Sequence, residues 1–293
     1  MSDGSAARRR PRERRASRSR RTIELLLDTA IRPGGWAARL AYPLGLQGRV
    51  RSSAEEIHLV NRPPGASPLR LAFASDFHAG ATTDPRLLRR ACETLAEFEP
   101  DVLLLGGDFV SVRASYIDEL APAIGAIPAP FGKFAVLGNH DLRADHPRIV
   151  RELERAGVEM LTNRHVALAA PFADINLCGL DDPTLGWPDA AAALDDVHGT
   201  RVVLMHSPDG LLAIGDRPFD LALCGHTHGG QIAAPWGHAI LLPSGQLNRQ
   251  YARGRFELDG GASRTLLVSR GVGCSTVPMR MFAAPEVHLC LIV

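Results

Sequence analysis

The stretch Leu69-Arg70-Leu71-Ala72-Phe73-Ala74-Ser75-Asp76-Phe77-His78 reads as a strand that ends on two metal-type ligands. Asp76 and His78 stand two residues apart, so an extended chain leaving the strand aims both at the same side. The pattern recurs downstream. Val102–Leu105 runs into Gly106-Gly107-Asp108, Lys133–Leu137 into Gly138-Asn139-His140-Asp141, residues 201–205 into His206, and residues 219–223 into the segment Gly225-His226-Thr227-His228. Five apolar runs tipped with Asp, Asn or His gather oxygen and imidazole donors at the ends of several strands. That arrangement reads as a two-metal hydrolytic site.

Helical signals fall between the runs. Asp84-Pro85 supplies an N-cap and a first-turn proline for a helix whose Leu88, Ala91, Leu95 and Phe98 share a face. A second helix is predicted near residues 114–126, and Pro147 opens a third that reaches about Ala156. This β-α-β-α rhythm predicts a layered α/β core. Further strands are predicted at residues 165–169, 174–179, 251–256, 265–269 and 286–293, with fewer helices among them. Two packed sheets follow from that shift.

Mixed His, Asp and Asn ligation suits borderline divalent ions such as Mn, Fe or Zn, and thiolates are absent from the set. A carboxylate at Asp108, reached through two glycines, is placed to bridge two cations. Two ions about 4 Å apart lower the pKa of a bridging water and clamp the oxygens of an in-line phosphoryl displacement. One metal needs only three or four side chains, so this wealth of ligands points to two. Singly, each motif has a plain reading: Asp-x-His arises often by chance, Gly-Asp is a common turn, and a lone His is usually a satisfied polar group. Together, and in this order, they are specific.

Composition narrows the partners. Residues 1–21 hold nine Arg against Asp3 and Glu13, so with a net charge of +1 for the whole chain the remainder is acidic. An acidic body argues against duplex nucleic acid as a partner. Cys92, Cys178, Cys224, Cys274 and Cys290 are odd in number and lack C-x-x-C spacing, which suggests neither a disulfide framework nor a zinc-thiolate site. No run approaches the roughly 18 uninterrupted apolar residues of a spanning helix.

The basic tail, residues 1–21, is expected to be disordered in isolation. Residues 22–56 form an amphipathic N-terminal segment: Ile23, Leu26, Leu27, Ala30 and Ile31 recur at helical spacing, Glu24, Asp28 and Arg32 share the opposite face, and Pro33-Gly34-Gly35 stops the run. Trp36, Leu40, Tyr42 and Leu44 continue an apolar stretch. Two placements fit it, an anionic membrane surface beside the basic tail or the body of the protein. The first puts the protein in the cytoplasm, peripheral at the inner face of the plasma membrane. Ser19-Arg20-Arg21-Thr22-Ile23 also has the form of a twin-arginine export signal, but charges at Glu24, Asp28 and Arg32 interrupt the apolar region such a signal needs.

The series Asp76-x-His78, Gly107-Asp108, Gly138-Asn139-His140-Asp141, His206 and Gly225-His226-Thr227-His228 resembles the calcineurin-like metallophosphoesterase superfamily over residues 57–293. The longer run to Gly229-Gly230-Gln231-Ile232, with Tyr251-Ala252-Arg253-Gly254 and Ser269-Arg270-Gly271-Val272-Gly273, is similar to a bacterial branch that includes peripheral-membrane enzymes akin to UDP-2,3-diacylglucosamine diphosphatase. The resemblance implies a four-layer αββα sandwich, two mixed β-sheets flanked by helices. It implies that Asp76, His78, Asp108 and His228 hold one metal, that Asp108, Asn139, His206 and His226 hold the other with Asp108 bridging, and that His140 is the catalytic histidine, which donates a proton to the leaving oxygen or stabilises the transition state. The activity implied is hydrolysis of a phosphodiester, pyrophosphate or phosphomonoester by a metal-bridging hydroxide, on a phosphorylated small molecule, a nucleotide sugar or a lipid-linked substrate. The rival readings are a catalytically silent member that binds phosphorylated ligands, and a nuclease.

One position departs from many relatives. Ser111 stands where they carry an acid or Arg, and that acid can orient the catalytic histidine, so His140 needs another partner. Arg253 and Arg270, in glycine-flanked segments, are candidates to pair with substrate phosphate, and Gln231 to hydrogen-bond substrate. Each also reads plainly, the arginines as surface residues of an Arg-rich chain and the glutamine as the close of a turn.

Overall fold

The structure, a computed structural model, describes Asp28, residues 33–258 and residues 264–293. The chain runs through α1 (Trp36–Ala41), β1 (Arg51–Ile57), β2 (Leu69–Ala74), α2 (Pro85–Glu97), β3 (Val102–Leu105), α3 (Ile117–Gly125), β4 (Lys133–Ala135), α4 (Asn139–Arg143), α5 (His146–Arg155) and β5 (Val158–Met160). It continues through β6 (Arg164–Ala167), β7 (Ile175–Gly179), α6 (Ala190–Leu194), β8 (Thr200–Leu204), α7 (Gly210–Ile214), β9 (Leu221–Cys224), β10 (Gly254–Glu257) and β11 (Thr265–Val268) to β12 (Glu286–Ile292). One six-stranded sheet has the order β1-β12-β2-β3-β4-β5 and the other β10-β11-β9-β8-β7-β6. Both are mixed. In the first, β2 to β5 are parallel while β12 runs antiparallel to β2. In the second, β7, β8, β9 and β11 are parallel, and the edge strands β6 and β10 are antiparallel to their neighbours.

Side-chain alternation stacks these sheets into four layers. On β2, Leu71 and Phe73 face the second sheet while Ala72 and Ala74 face helices α2, α3 and α5. On β8 and β9, Val202, Leu204, Leu221 and Leu223 fill the layer between sheets, while Val203, Ala222 and Cys224 face α6 and α7. Strands buried on both faces read as unbroken apolar runs, which is how they appear in the sequence. Truncating the fully buried Phe73 to Ala would cost about 3–5 kcal/mol of stability.

Helix α2 begins as its sequence predicts: the Asp84 carboxylate accepts from the Arg86 backbone N–H at 2.8 Å and Pro85 occupies the first turn. Leu88, Ala91 and Leu95 are buried. The helix predicted near residues 114–126 divides into a 3-10 turn, Ala114–Tyr116, followed by α3.

The N-terminal segment departs from its expected extent. Residues 51–57, which straddle the boundary expected at residue 57, form β1 and pair in parallel with β12 from Arg51↔Glu286 to Ile57↔Ile292. The basic tail and most of the predicted helix over residues 22–32 lie outside the described residues. Asp28, assigned to the polar face of that helix, is helical and buried, and its carboxylate accepts from Arg113 Nε at 2.8 Å. Ala38 and Ala41 bury one side of α1, and Gln47 ties the segment to the body by donating to the Thr82 carbonyl and accepting from the Asp84 N–H. Trp36, Leu40, Leu44 and Leu46 remain exposed. Among the described residues, no helix is long and apolar enough to cross a membrane.

Candidate metal centre

The parallel strands of both sheets deliver their C-terminal ends to one place. Asp76 and His78 follow β2, Asp108 follows β3, Asn139 and His140 open α4 after β4, His206 follows β8, and His226 and His228 follow β9. The main chain turns sharply there: Asp76, His78, Asp108, His226 and His228 all have left-handed backbones, with φ between 44° and 70°. Each costs roughly 1–2 kcal/mol for an L-residue and persists only where neighbouring contacts fix it. Those contacts are main-chain bonds between adjacent strand ends: Asp76 N–H to the Gly107 carbonyl and His78 N–H to that of Asp108, both at 2.9 Å. Gly138 and Gly225 allow the approach, since a Cβ on the first would overlap the Asp108 carboxylate and on the second that of Asp76.

Within this cradle the donor atoms form two linked sets. Asp76 Oδ1 lies 3.5 Å from His228 Nε2 and 3.9 Å from His78 Nε2, and the two imidazole nitrogens are 3.1 Å apart. His206 Nε2 lies 3.2 Å from Asn139 Oδ1 and 3.2 Å from His226 Nδ1. Asp108 joins the sets through one atom, its Oδ2 being 3.5 Å from His78 Nε2 and 3.3 Å from His206 Nε2. All these side chains are buried.

The electrostatics of this cluster call for a cation. His206 Nδ1 is 2.7 Å from the Gly106 carbonyl, which only accepts, so Nδ1 carries the ring proton. A neutral His206 then turns the Nε2 lone pair toward the acceptor oxygens of Asn139 and Asp108. A proton or a metal ion removes that repulsion. Burial works against a charge on His206, yet Asp108, Asp76 and Asp182 raise its pKa well above the ordinary imidazole value. Burial likewise disfavours the Asp108 carboxylate, but His206, His140 and His78 hold it well below the usual range. Asp76 is pushed up to about 6 by burial, against the pull of His206. Burial keeps His78 and His228 neutral, and burial with His206 lowers His226 to about 3, so all three offer lone pairs. Carboxylates, an amide oxygen and neutral imidazoles are a donor set that fits borderline divalent metals.

His140 stands beside this cluster, its ring 4.7 Å from that of His78. Its Nδ1 is 2.7 Å from the Ser111 carbonyl, which fixes the proton on Nδ1. The partner left open by the side chain at position 111 is therefore the main chain at that position. Ser111 Oγ serves His78 instead, donating to its carbonyl at 3.1 Å and lying 3.5 Å from its Nδ1. Asp141 does not orient His140: its carboxylate accepts from the N–H groups of Gly138 and Val110, and burial beside Asp108 pushes its pKa up to about 7.

The three candidate substrate contacts, Arg253, Arg270 and Gln231, each have partners within the protein. Arg270 forms a two-pronged ion pair with Glu286, at 2.6 and 3.0 Å. Arg253 Nη1 donates to the Phe282 carbonyl. Gln231 lines the cleft, but its side chain is engaged by the Val277 and Met279 carbonyls and the Ser275 N–H. Two residues not singled out from the sequence stand close by. Asp182, fully buried, accepts from Thr184 and Leu185 N–H groups, and burial pushes its pKa up to about 6. It follows β7 as the predicted ligands follow their strands, so the same signal would have found it. Arg280, also buried, donates to the carbonyls of Gly273, Arg270 and Ala283 and so braces the loop beside His228. Its Nη2 also lies 3.2 Å from His228 Nδ1, and its other acceptors are main-chain atoms, which leave no mark in a sequence.

Comparison with known proteins points the same way. The calcineurin-like phosphoesterase family matches residues 69–230. The chain is 32% identical to the uncharacterized metallophosphoesterase YkuE of Bacillus subtilis, over 77% of this chain and 79% of that protein. It is 32% identical to the phosphodiesterase YaeI of Escherichia coli, over 76% and 82%. It is 29% identical to the UDP-2,3-diacylglucosamine pyrophosphatase LpxG of Chlamydia trachomatis, over 75% and 82%.

Proposed function

The chain belongs to the calcineurin-like phosphoesterase family and is a phosphoester hydrolase, and from that premise we propose that it cuts a phosphodiester or pyrophosphate bond with two divalent ions, Mn, Fe or Zn. Asp76, His78, Asp108 and His228 would hold the first ion, and Asp108, Asn139, His206 and His226 the second. Bound there, the ions would activate water as the nucleophile and offset the charge of the phosphoryl group. The observation that carries this reading is the convergence of the buried ligand atoms of Asp76, His78 and His228 and of Asp108, His206 and His226 on one place.

The chain's own residues supply the rest. With Nδ1–H donated to the Ser111 carbonyl, His140 exchanges its second proton at Nε2. In the protonated form it delivers that proton to the departing oxygen. The backbone N–H of His140 donates to Asp108 Oδ1 at 2.7 Å and keeps that carboxylate turned toward both ligand sets. A cleft of about 400 Å³ opens over these side chains, with Ile232, Leu241, Leu242 and Val277 on its wall. Such a wall suits a substrate with an apolar group, and LpxG acts on a diacylated nucleotide sugar by its name. A lipid-linked phosphoester is the substrate class we favour.

Reconstitution with Mn tests the centre. Two equivalents per chain by elemental analysis, with turnover of bis(p-nitrophenyl) phosphate that stops on chelation, is the expected result. One equivalent, or turnover that survives chelation, would sink the reading. The same proposal places the protein at the inner face of the plasma membrane, held by the basic tail and the exposed Trp36, Leu40, Leu44 and Leu46. Sedimentation with anionic and neutral vesicles checks that placement: binding only to anionic vesicles, lost on deletion of residues 1–32, is expected, and equal binding by the deletion variant refutes it.

A further inference from the structure

Helix α4 carries a cation that neither the ligand sets nor the proton donor uses. Arg143 lies one turn beyond Asn139, on the same face of the helix, and lines the cleft together with Asp108, His140 and His226. Among the described residues it is the only Arg or Lys on that lining. Its Nε is buried without a hydrogen-bond partner, and no carboxylate of the described residues pairs with it. Thr184, on the loop after β7, lines the same cleft, and its hydroxyl has no partner among the described residues.

An unpaired guanidinium in a partly buried site is costly. Arg253 and Arg270 have partners within the protein, whereas Arg143 Nε has none among the described residues. Ions held by the ligands that converge on Asp108 would meet the charge of the scissile phosphoryl group, whereas Arg143 lies one helical turn beyond Asn139 on the cleft lining. The wall formed by Ile232, Leu241 and Val277 offers an anion nothing. We propose that Arg143 and Thr184 form a subsite for a second phosphoryl group joined to the scissile one, so that the cleft selects pyrophosphate-type substrates over simple phosphate esters. The inference rests on the phosphohydrolase reading and names the substrate class within it.

A matched pair of inhibitors tests the subsite. A nucleoside monophosphate and the diphosphate of the same base compete against bis(p-nitrophenyl) phosphate at fixed free Mn. The diphosphate is expected to bind roughly 30-fold more tightly to the wild type, the worth of one charge-assisted contact. Arg143→Gln should erase that gap, and Arg143→Lys should keep part of it, since lysine retains the charge and loses the fork. Equal inhibition of the wild type by both nucleotides, or a gap that survives in Arg143→Gln, overturns the proposal. So does an equal weakening of both nucleotides, which would put Arg143 on the scissile phosphoryl group. If the Mn-loaded wild type turns over nothing, the hydrolase reading fails by itself, and calorimetric binding of the same two nucleotides still decides the subsite.

Discussion

The two sheets contribute unlike halves to the candidate metal centre. The first, through the ends of β2, β3 and β4, brings both carboxylates, Asp76 and Asp108, with His78, Asn139 and the proton-donor candidate His140. The second, through β8 and β9, brings imidazoles alone: His206, His226 and His228. One half carries the ligand carboxylates and the other supplies imidazoles. Neither completes a ligand set, because Asp76 and His78 meet His228, and Asp108 meets His206, only across the sheet interface. The apolar layer of Leu71, Phe73, Leu204 and Leu223 therefore sets the spacing of the donors above it. Two cations would act as staples between the sheets.

Removing the charge from the first half should have the largest effect. Asp108→Asn weakens both ligand sets at once, and a loss of turnover on the order of 10⁴-fold is expected, with fewer than two Mn retained per chain. His140→Ala leaves both sets whole. Turnover should then fall roughly 10³-fold while metal content stays at the wild-type level. If Asp108→Asn keeps both ions, the shared-carboxylate half of the comparison is wrong. If His140→Ala sheds metal, His140 belongs among the ligands and not beside them.

Acidity should sharpen the contrast further. The pKa of Asp76 is raised from 3.8 to about 6 in the metal-free fold, so its neutral form stabilises that fold and the contribution is lost as pH rises through 6. A cation requires the carboxylate. Mn affinity should therefore rise about tenfold per pH unit below pH 6 for each proton displaced, and more steeply where His206 also releases its proton. The metal-free and metal-loaded proteins should diverge in stability over the same interval. At a fixed Mn concentration 100 times the neutral-pH Kd, chelation should lower Tm by about 5–8 °C per bound ion near neutral pH and by less at pH 5. A difference that widens toward acid pH would contradict the assignment of Asp76.

Much of the architecture could be read from the chain itself. Strands buried on both faces are apolar throughout, and a polar ligand at the end of such a run stands out; β3 falls on the predicted residues. What escaped depends on atoms every residue has. The left-handed backbones at Asp76, His78, Asp108, His226 and His228 carry no glycine or asparagine signature, because contacts between strand ends impose them. The partner of Arg270 is not legible in the sequence: Glu286, sixteen positions later, comes back beside it when β12 returns to the first sheet. Arg143 was passed over for the converse reason. Its exposure to the cleft is set by the four-residue step from Asn139, and only the fold shows that no acid among the described residues pairs with it.

The smallest expected effect bears on how the first half holds His140. A side-chain orienter can be removed by substitution. Here the acceptor for His140 Nδ1–H is the Ser111 carbonyl, held in place by the Ser111 N–H donating to the Ala79 carbonyl at 3.1 Å. Ser111→Ala keeps that carbonyl and deletes only the hydroxyl near His78. Turnover should fall less than about threefold, with a modest loss of Mn affinity through His78, because a weak contact to a ligand is lost and the proton donor is untouched. A loss approaching that of His140→Ala, with metal content unchanged, would show that the hydroxyl and not the main chain orients the histidine. Ser111→Pro separates the two further: proline lacks the N–H that ties this turn to Ala79, so the carbonyl should shift and turnover should fall well below that of Ser111→Ala.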